Sequence, residues 1–164
     1  MTPAHEADAA TLRAVFAGFP SGVAAVGAVV EGTAHVLVVS SFTVGVSQDP
    51  PLVLFAVQRT SSTWPDLRRA PVLGVSVLGV GHELAARQLA GHDKAARLAG
   101  VDHQVTPSGA VLLEESPVWL ECTVEHEYPA GDHDIVVLRV SSLASSPDHD
   151  PLVWHRSRFA SLAD

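Results

Sequence analysis

The chain has 164 residues and a mass of 17.2 kDa, with 47% hydrophobic and 17% charged residues, which suits one domain with an ordinary core and excludes a disordered or coiled-coil chain. Eighteen acids against ten bases give a formal charge of −8, with Lys94 the single lysine, and so acidic a surface repels the phosphate backbone of nucleic acid. Cys122 is the only cysteine, so no disulfide or CxxC motif forms within the chain, as fits a reducing cytoplasm.

The N-terminal MTPAHEADAATLRAVF lacks the basic and apolar regions of a secretion signal. No apolar run approaches the roughly 20 residues that cross a bilayer, so a soluble, cytoplasmic protein is expected. Leu12, Val15, Phe16 and Phe19 follow helical spacing, which predicts an amphipathic helix over about residues 8–18, stopped by Gly18 and Pro20. Ser21-Gly22 then reads either as a plain turn or as a place where backbone approaches a ligand. Strands follow at Val23–Val30 and, after a Glu31-Gly32 turn, at Ala34–Thr43. A third, Leu52–Gln58, begins beyond the Asp49-Pro50-Pro51 break.

Hydroxyls at its start, Pro65 in its first turn and arginines near its end make residues 61–70 a short helix, before a strand at Val72–Leu78. Residues 82–99 give two short helices broken at Gly91, with Asp93 capping the second; residues 100–116 read as loop. In residues 118–128, Val118, Leu120, Cys122, Val124, His126 and Tyr128 alternate with Glu121, Thr123, Glu125 and Glu127, the pattern of a half-buried antiparallel strand. A turn at 129–132 leads to a strand at Ile135–Val140, and a last extended piece, Leu152–Trp154, precedes the basic end His155-Arg156-Ser157-Arg158-Phe159. The expectation is one domain over 1–164 that is mainly β with peripheral helices, a closed or split antiparallel barrel.

Candidate sites are few. Arg59 with Thr60, Ser61, Ser62 and Thr63, at a helix start after a strand, reads as a phosphate cradle or as ordinary capping. Ser40 and Ser41, ending an apolar strand, suit a flat polar ring system or their own backbone. Asp132, His133 and Asp134 face Glu125, His126 and Glu127 across a hairpin. Period 2 sends His126 to the side opposite the two glutamates, so these are read as solvated charges and not as a metal site, with His133 left near an anionic ligand as an alternative. Cys122 is a small core residue. Nothing matches GxGxxG or Walker A.

Six motifs in order, FPSGVAAVGA, VSSFTVGVSQDPPLVLFAV, RTSSTWPDL, ARQLAGHDKAARLAGV, WLECTVEHEYPAGDHDIVVLRV and PLVWHRSRF, resemble the short flavin reductase family over about Leu12 to Leu162. The resemblance implies a Greek-key-like, FMN-binding split β-barrel, a homodimer with flavin near the subunit interface. It implies reduction of FMN or FAD by NADH or NADPH and release of reduced flavin to a partner monooxygenase. Carried over by position, Ser40, Ser41 and Phe42 would line the isoalloxazine, with Val39 and Ala56 in the same cofactor-binding set. Arg59, Ser61, Ser62 and Thr63 would hold the flavin phosphate, and Lys94 would approach it.

Ser21 and Gly22 match the family's Thr-Gly turn. His133 matches the histidine beside the nicotinamide nucleotide, and His155, Arg156 and Arg158 match the C-terminal basic motif. The chain departs from the pattern at His35-Val36-Leu37-Val38-Val39, where the family often has His-Gly-Met-Thr-Val. It departs also at Ser21 for threonine and at Ala95, where an aromatic usually follows the lysine. Hydride transfer to a flavin needs no acid, base or nucleophile from the protein, in keeping with a sequence that offers no triad or carboxylate dyad. Two other readings stay open: a flavoprotein of this fold that keeps its flavin and oxidises an organic substrate, and a non-catalytic flavin binder.

Overall fold

The computed structural model describes residues 3–162. Its first helix, α1 (Ala9–Phe16), is capped by Asp8, whose Oδ1 accepts from Thr11 N at 2.7 Å. The helix is where periodicity puts it, but its apolar stripe is not buried: Val15 is 67% and Phe16 68% exposed. Spacing defines a stripe and does not say what covers it.

Seven strands form one antiparallel sheet: β2 (Ala24–Val30), β3 (Thr33–Val39), β4 (Thr43–Gln48), β5 (Pro51–Gln58), β6 (Leu73–Val77), β9 (Val118–Ala130) and β10 (His133–Ser145). Their order is β3-β2-β6-β9-β10-β5-β4, so β3 and β4 are the edge strands, and the seam closes between the end of β3 and β5, next to β4. Ser41 joins them, its Oγ donating to Ala56 O and accepting from Ala56 N, both at 2.9 Å, as a ladder partner would. Inside the barrel so formed lie Val26, Phe55, Leu73, Val75, Cys122, Val136 and Leu138, all buried, with Trp64 and Leu67 of the short helix α2 (Trp64–Leu67) packed onto them. Trp64 meets Phe55 edge to face at 5.3 Å.

A second layer covers the outside of β2. It comprises α3 (Glu83–Leu89), the hairpin β7 (His103–Val105) and β8 (Val111–Leu113), and the hairpin β11 (Val153–His155) and β12 (Arg158–Ala160). Leu78, Leu89, Leu113 and Leu152 join there in one buried cluster. Gly74 makes the close approach possible, since a Cβ on it would stand 2.3 Å from Val111 O.

Several expectations are corrected. The strand expected over Ala34–Thr43 ends at Val39, because Ser40–Phe42 must turn across the seam before β4 starts. The loop expected over 100–116 contains the β7–β8 hairpin, whose three-residue strands are too short to show a period. On β9 the alternation holds only to Val124. Leu138 pairs with Val124 and Val137 with His126, so Glu125 is an extra, bulged residue. Beyond it His126 and Tyr128 are exposed, while Glu127 Oε2 accepts from Trp64 Nε1 at 3.2 Å.

β9 also runs on to Ala130, which narrows the turn expected over 129–132 to Gly131-Asp132. Ser21–Gly22, read either as a plain turn or as a backbone approach to a ligand, is not a turn but a short strand, β1 (Ser21–Gly22), paired with Trp154 and Val153 of β11. The C-terminal basic stretch runs from the end of β11, at His155, through the hairpin tip into β12, with Arg156 and Ser157 at φ +51° and +58°.

Candidate functional site

Three hollows meet at Ser40, an exposed residue whose hydroxyl makes no hydrogen bond among the described residues. The first, a cleft of about 490 Å³, runs between β3, the end of β5 and the start of α2. Val39, Ser40, Ser41, Ala56, Ser61, Ser62, Thr63 and His133 all border it, so half of the residues selected from sequence fall around one opening. Its walls are apolar at Leu37, Val39 and Val57 and polar at Ser61, Ser62 and Thr63.

The polar end is organised by a residue that sequence reasoning missed. Arg97 is buried, and its Nε donates to Gly91 O at 2.8 Å while Nη1 donates to Val36 O at 2.7 Å and to Thr63 Oγ1 at 2.9 Å. Burial pulls its pKa below the ordinary guanidinium value. Nη2 makes no hydrogen bond among the described residues, so a positive fork backs the Ser61–Thr63 turn. Nothing local separates Arg97 from Lys94, three residues earlier in an alanine-rich stretch; only tertiary packing turns one inward.

Lys94 lies outside the cleft, its Nζ on Ser62 O and, at 3.2 Å, on Asp66 Oδ2. That bond holds the Asp66 carboxyl below the usual range. Arg59 is likewise engaged elsewhere: its Nε donates to Asp134 Oδ1 at 3.1 Å. The hydroxyls divide their work. Ser61 Oγ accepts from Thr63 N at 3.3 Å and Trp64 N at 3.2 Å, which is the capping role, and Ser41 is the seam partner of Ala56. Ser40 and the exposed Ser62 form no side-chain bond among the described residues.

The second hollow, about 740 Å³, lies between α1, the β3–β4 turn and the C-terminal hairpin, and Ser21, Gly22 and Phe42 border it with Arg13, Phe16 and Trp154. The third, about 390 Å³, runs between α3 and the same hairpin, where Trp154 and Phe159 meet edge to face at 4.9 Å and Arg87 lies over Phe159 at 5.7 Å. His155, Arg156 and Arg158 border none of the three; their neighbours Trp154, Ser157 and Phe159 do. Arg156 acts through its backbone, N donating to Ala17 O at 2.7 Å and tying the hairpin to the end of α1.

Across the cleft, His133 Nδ1 meets Asp132 Oδ1 at 2.7 Å, which lowers the Asp132 carboxyl from its ordinary value. Burial pushes the Cys122 thiol up to about 12, so it is no nucleophile at neutral pH. Among the described residues no three His, Cys, Asp or Glu side chains are grouped to hold a metal ion.

A polar, cation-backed end joined to apolar walls is a shape for a flat ring carrying a phosphate arm. Comparison with known proteins points the same way. The family described as "Flavin reductase like domain" matches residues 16–163. A protein named actinorhodin polyketide dimerase from Streptomyces coelicolor is 38% identical over 157 residues, 95% of this chain and 88% of that one. An NADH-dependent FAD reductase from Streptomyces globisporus is 35% identical, over 95% of this chain and 87% of that one.

Among solved structures, the NADH:FAD oxidoreductase SgcE6 of Streptomyces globisporus, in complex with NAD and FAD fragments, superposes with a TM-score of 0.88. It shares 34% identity, with 95% of this chain and 93% of that one covered. With a family match over nearly its whole length and relatives above 30% identity, this chain belongs to the flavin reductase like family.

Proposed function

We infer that the chain is an NADH-dependent flavin reductase that reduces FMN or FAD and passes the reduced flavin to a partner monooxygenase. Family membership over residues 16–163 and the reductase names of its relatives support the activity. The observation that carries it at residue level is the cleft whose Ser61–Thr63 end is backed by Arg97 and whose other end opens at Ser40 onto an apolar hollow.

In this reading the Ser62 hydroxyl, the Ser61–Thr63 backbone and the free Nη2 of Arg97 hold the flavin phosphate, with Arg59 and Lys94 as outer charges. Val39, Ser40, Ser41, Phe42 and Ala56 line the ring, with Ser21 and Gly22 beside it. His133, with the His155-Arg156-Arg158 stretch, serves the nicotinamide side. When bound, the flavin supplies the hydride acceptor, so this chain has only to stack the nicotinamide on it at roughly 3 to 3.5 Å and keep water out. Phe42 and Trp154 provide the dry wall, and Ser40 supplies a hydroxyl free to bond a ring edge.

The exposed Val15, Phe16, Phe19 and Val44 beside the second hollow support a homodimer in which a second copy covers this face. The unpaired Cys122 suits a cytoplasmic location, and no described helix is long and apolar enough to cross a membrane.

The test is NADH oxidation by dialysed protein with and without added FMN, FAD or riboflavin. A colourless protein that turns over NADH only with added flavin is expected. The 38% identity to a polyketide dimerase favours a second reading, a chain that keeps its flavin and acts on an organic substrate. Yellow colour that survives dialysis, with no stimulation by added flavin, selects that reading.

A further inference from the structure

At the tip of the β9–β10 hairpin, Asp132 has a side chain 92% exposed, yet its Oδ1 lies 2.7 Å from His133 Nδ1. An ionised carboxylate only accepts, so the ring donates from Nδ1. A neutral imidazole has one proton, and with that proton on Nδ1 its Nε2 becomes an acceptor. An aspartate is ionised at neutral pH in any case, and the bond to His133 lowers the Asp132 carboxyl further.

The tip is anchored on both sides of His133. Arg59 N donates to Asp132 O at 3.1 Å, and Arg59 Nε donates to Asp134 Oδ1 at 3.1 Å. His133 itself is paired with Gln58 on β5 and Ala130 on β9, and its side chain borders the cleft. Strand pairing thus fixes the backbone of His133, Arg59 holds the residues on either side of it, and Asp132 fixes a proton on its Nδ1. Such redundancy is not needed to close a two-residue turn.

We propose that Asp132 is a positioning residue of the reductase: it holds His133 by Nδ1 and presents Nε2 to the cleft as an acceptor. His133 then recognises a hydrogen-bond donor of the dinucleotide, such as a carboxamide N–H or a ribose hydroxyl, and not its pyrophosphate. This rests on the reading of His133 as a nicotinamide-side residue. An imidazolium, or an Nε2–H tautomer, would present a donor instead and would select the pyrophosphate.

The experiment is a double-mutant cycle on the full chain, with NADH varied at saturating FMN and with the side-chain ¹⁵N spectrum of His133 recorded at about pH 9, where imidazole is neutral. Asp132→Ala is expected to lower kcat/KM for NADH by about 3- to 10-fold, and Asp132→Asn, whose amide oxygen still accepts from Nδ1, to stay within about 2-fold. In a His133→Ala background Asp132→Ala should cost nothing further.

The spectrum should show Nδ1 protonated in the wild type and in Asp132→Asn, moving toward Nε2–H in Asp132→Ala. Wild-type kinetics in Asp132→Ala alongside a loss in His133→Ala would overturn the proposal. So would an Asp132→Ala loss that persists without His133, or an Nε2–H ring in the wild type. Unchanged NADH kinetics in His133→Ala would instead remove the nicotinamide-side reading and the proposal with it, a pattern distinct from the other three.

Discussion

On the Ser61 side of Ser40, polar groups are tied to one another within the chain: Arg97 to Val36, Gly91 and Thr63, Ser61 to the first turn of α2, and Lys94 to Ser62 and Asp66. On the α1 side, Phe16 and Phe19 stand 68% and 76% exposed, and α1 buries no residue at all. The two regions border separate hollows that meet at Ser40. One is preorganised by hydrogen bonds around the buried Arg97; the other is an apolar shelf that a single chain leaves open. An unmade bond to a buried charge is costly, so the chain satisfies Nε and Nη1 of Arg97 itself and leaves only Nη2 without a partner among the described residues. Exposed apolar area is tolerated until a partner covers it.

The sharpest way to break the contrast is Arg97→Ala. Three hydrogen bonds of a buried guanidinium are lost, and the expected cost is about 2 to 4 kcal/mol of stability, read by urea unfolding. FMN affinity should fall by on the order of 10- to 100-fold with riboflavin nearly unaffected, since only FMN carries the phosphate. Equal losses for both ligands would take the phosphate from Arg97.

The shelf responds differently. Phe16→Asp with Phe19→Asp should leave the unfolding free energy of the monomer within about 1 kcal/mol while weakening self-association on the order of 100-fold, measured by sedimentation. A wild-type chain already monomeric at micromolar concentration would end the dimer reading.

The smallest expected effect concerns acid. Asp66 has its carboxyl lowered first by the Lys94 hydrogen bond, then by the nearby charges of Lys94, His35 and Arg69. A folded value below the unfolded one means that its contribution is complete above the ordinary value of 3.8 and is lost as pH falls through the lower, folded value. Asp66→Asn should therefore reduce stability slightly at neutral pH, and the difference from wild type should vanish in strong acid. A gap that persists there would mean that the ion pair is not its source.

Local physics made much of the barrel legible. Apolar runs and turn residues located β2, β5, β6 and β10, and the first part of β9, because a strand with one buried face must alternate or run apolar. The bulge at Glu125 was not legible, since an extra residue changes the phase without any residue type that marks it. The β7–β8 hairpin was not legible either: it exists because Gly74 lets it lie on β6, a contact between distant segments.

The candidate site divides the same way. Ser40, Ser41, Ser61, Ser62, Thr63 and His133 could be selected from sequence because hydroxyls at strand ends and helix starts and a histidine at a turn are local signals, and they surround one cleft. Which hydroxyls stay free was decided by the fold. Ser41 is used at the seam and Ser61 at a cap, while Ser40 is left unbonded among the described residues.

The cation of the cleft was decided there too. Lys94 and Arg97 are equivalent in sequence, and only the packing of the segment after α3 against β3 and the Ser61–Thr63 turn points Arg97 inward and gives Lys94 to Asp66. The chain by itself determined most of the long barrel strands, several of the turns between them and the residue types around Ser40. Tertiary structure alone decided which charge is buried and which apolar face is left open, because both depend on contacts between residues far apart in the chain.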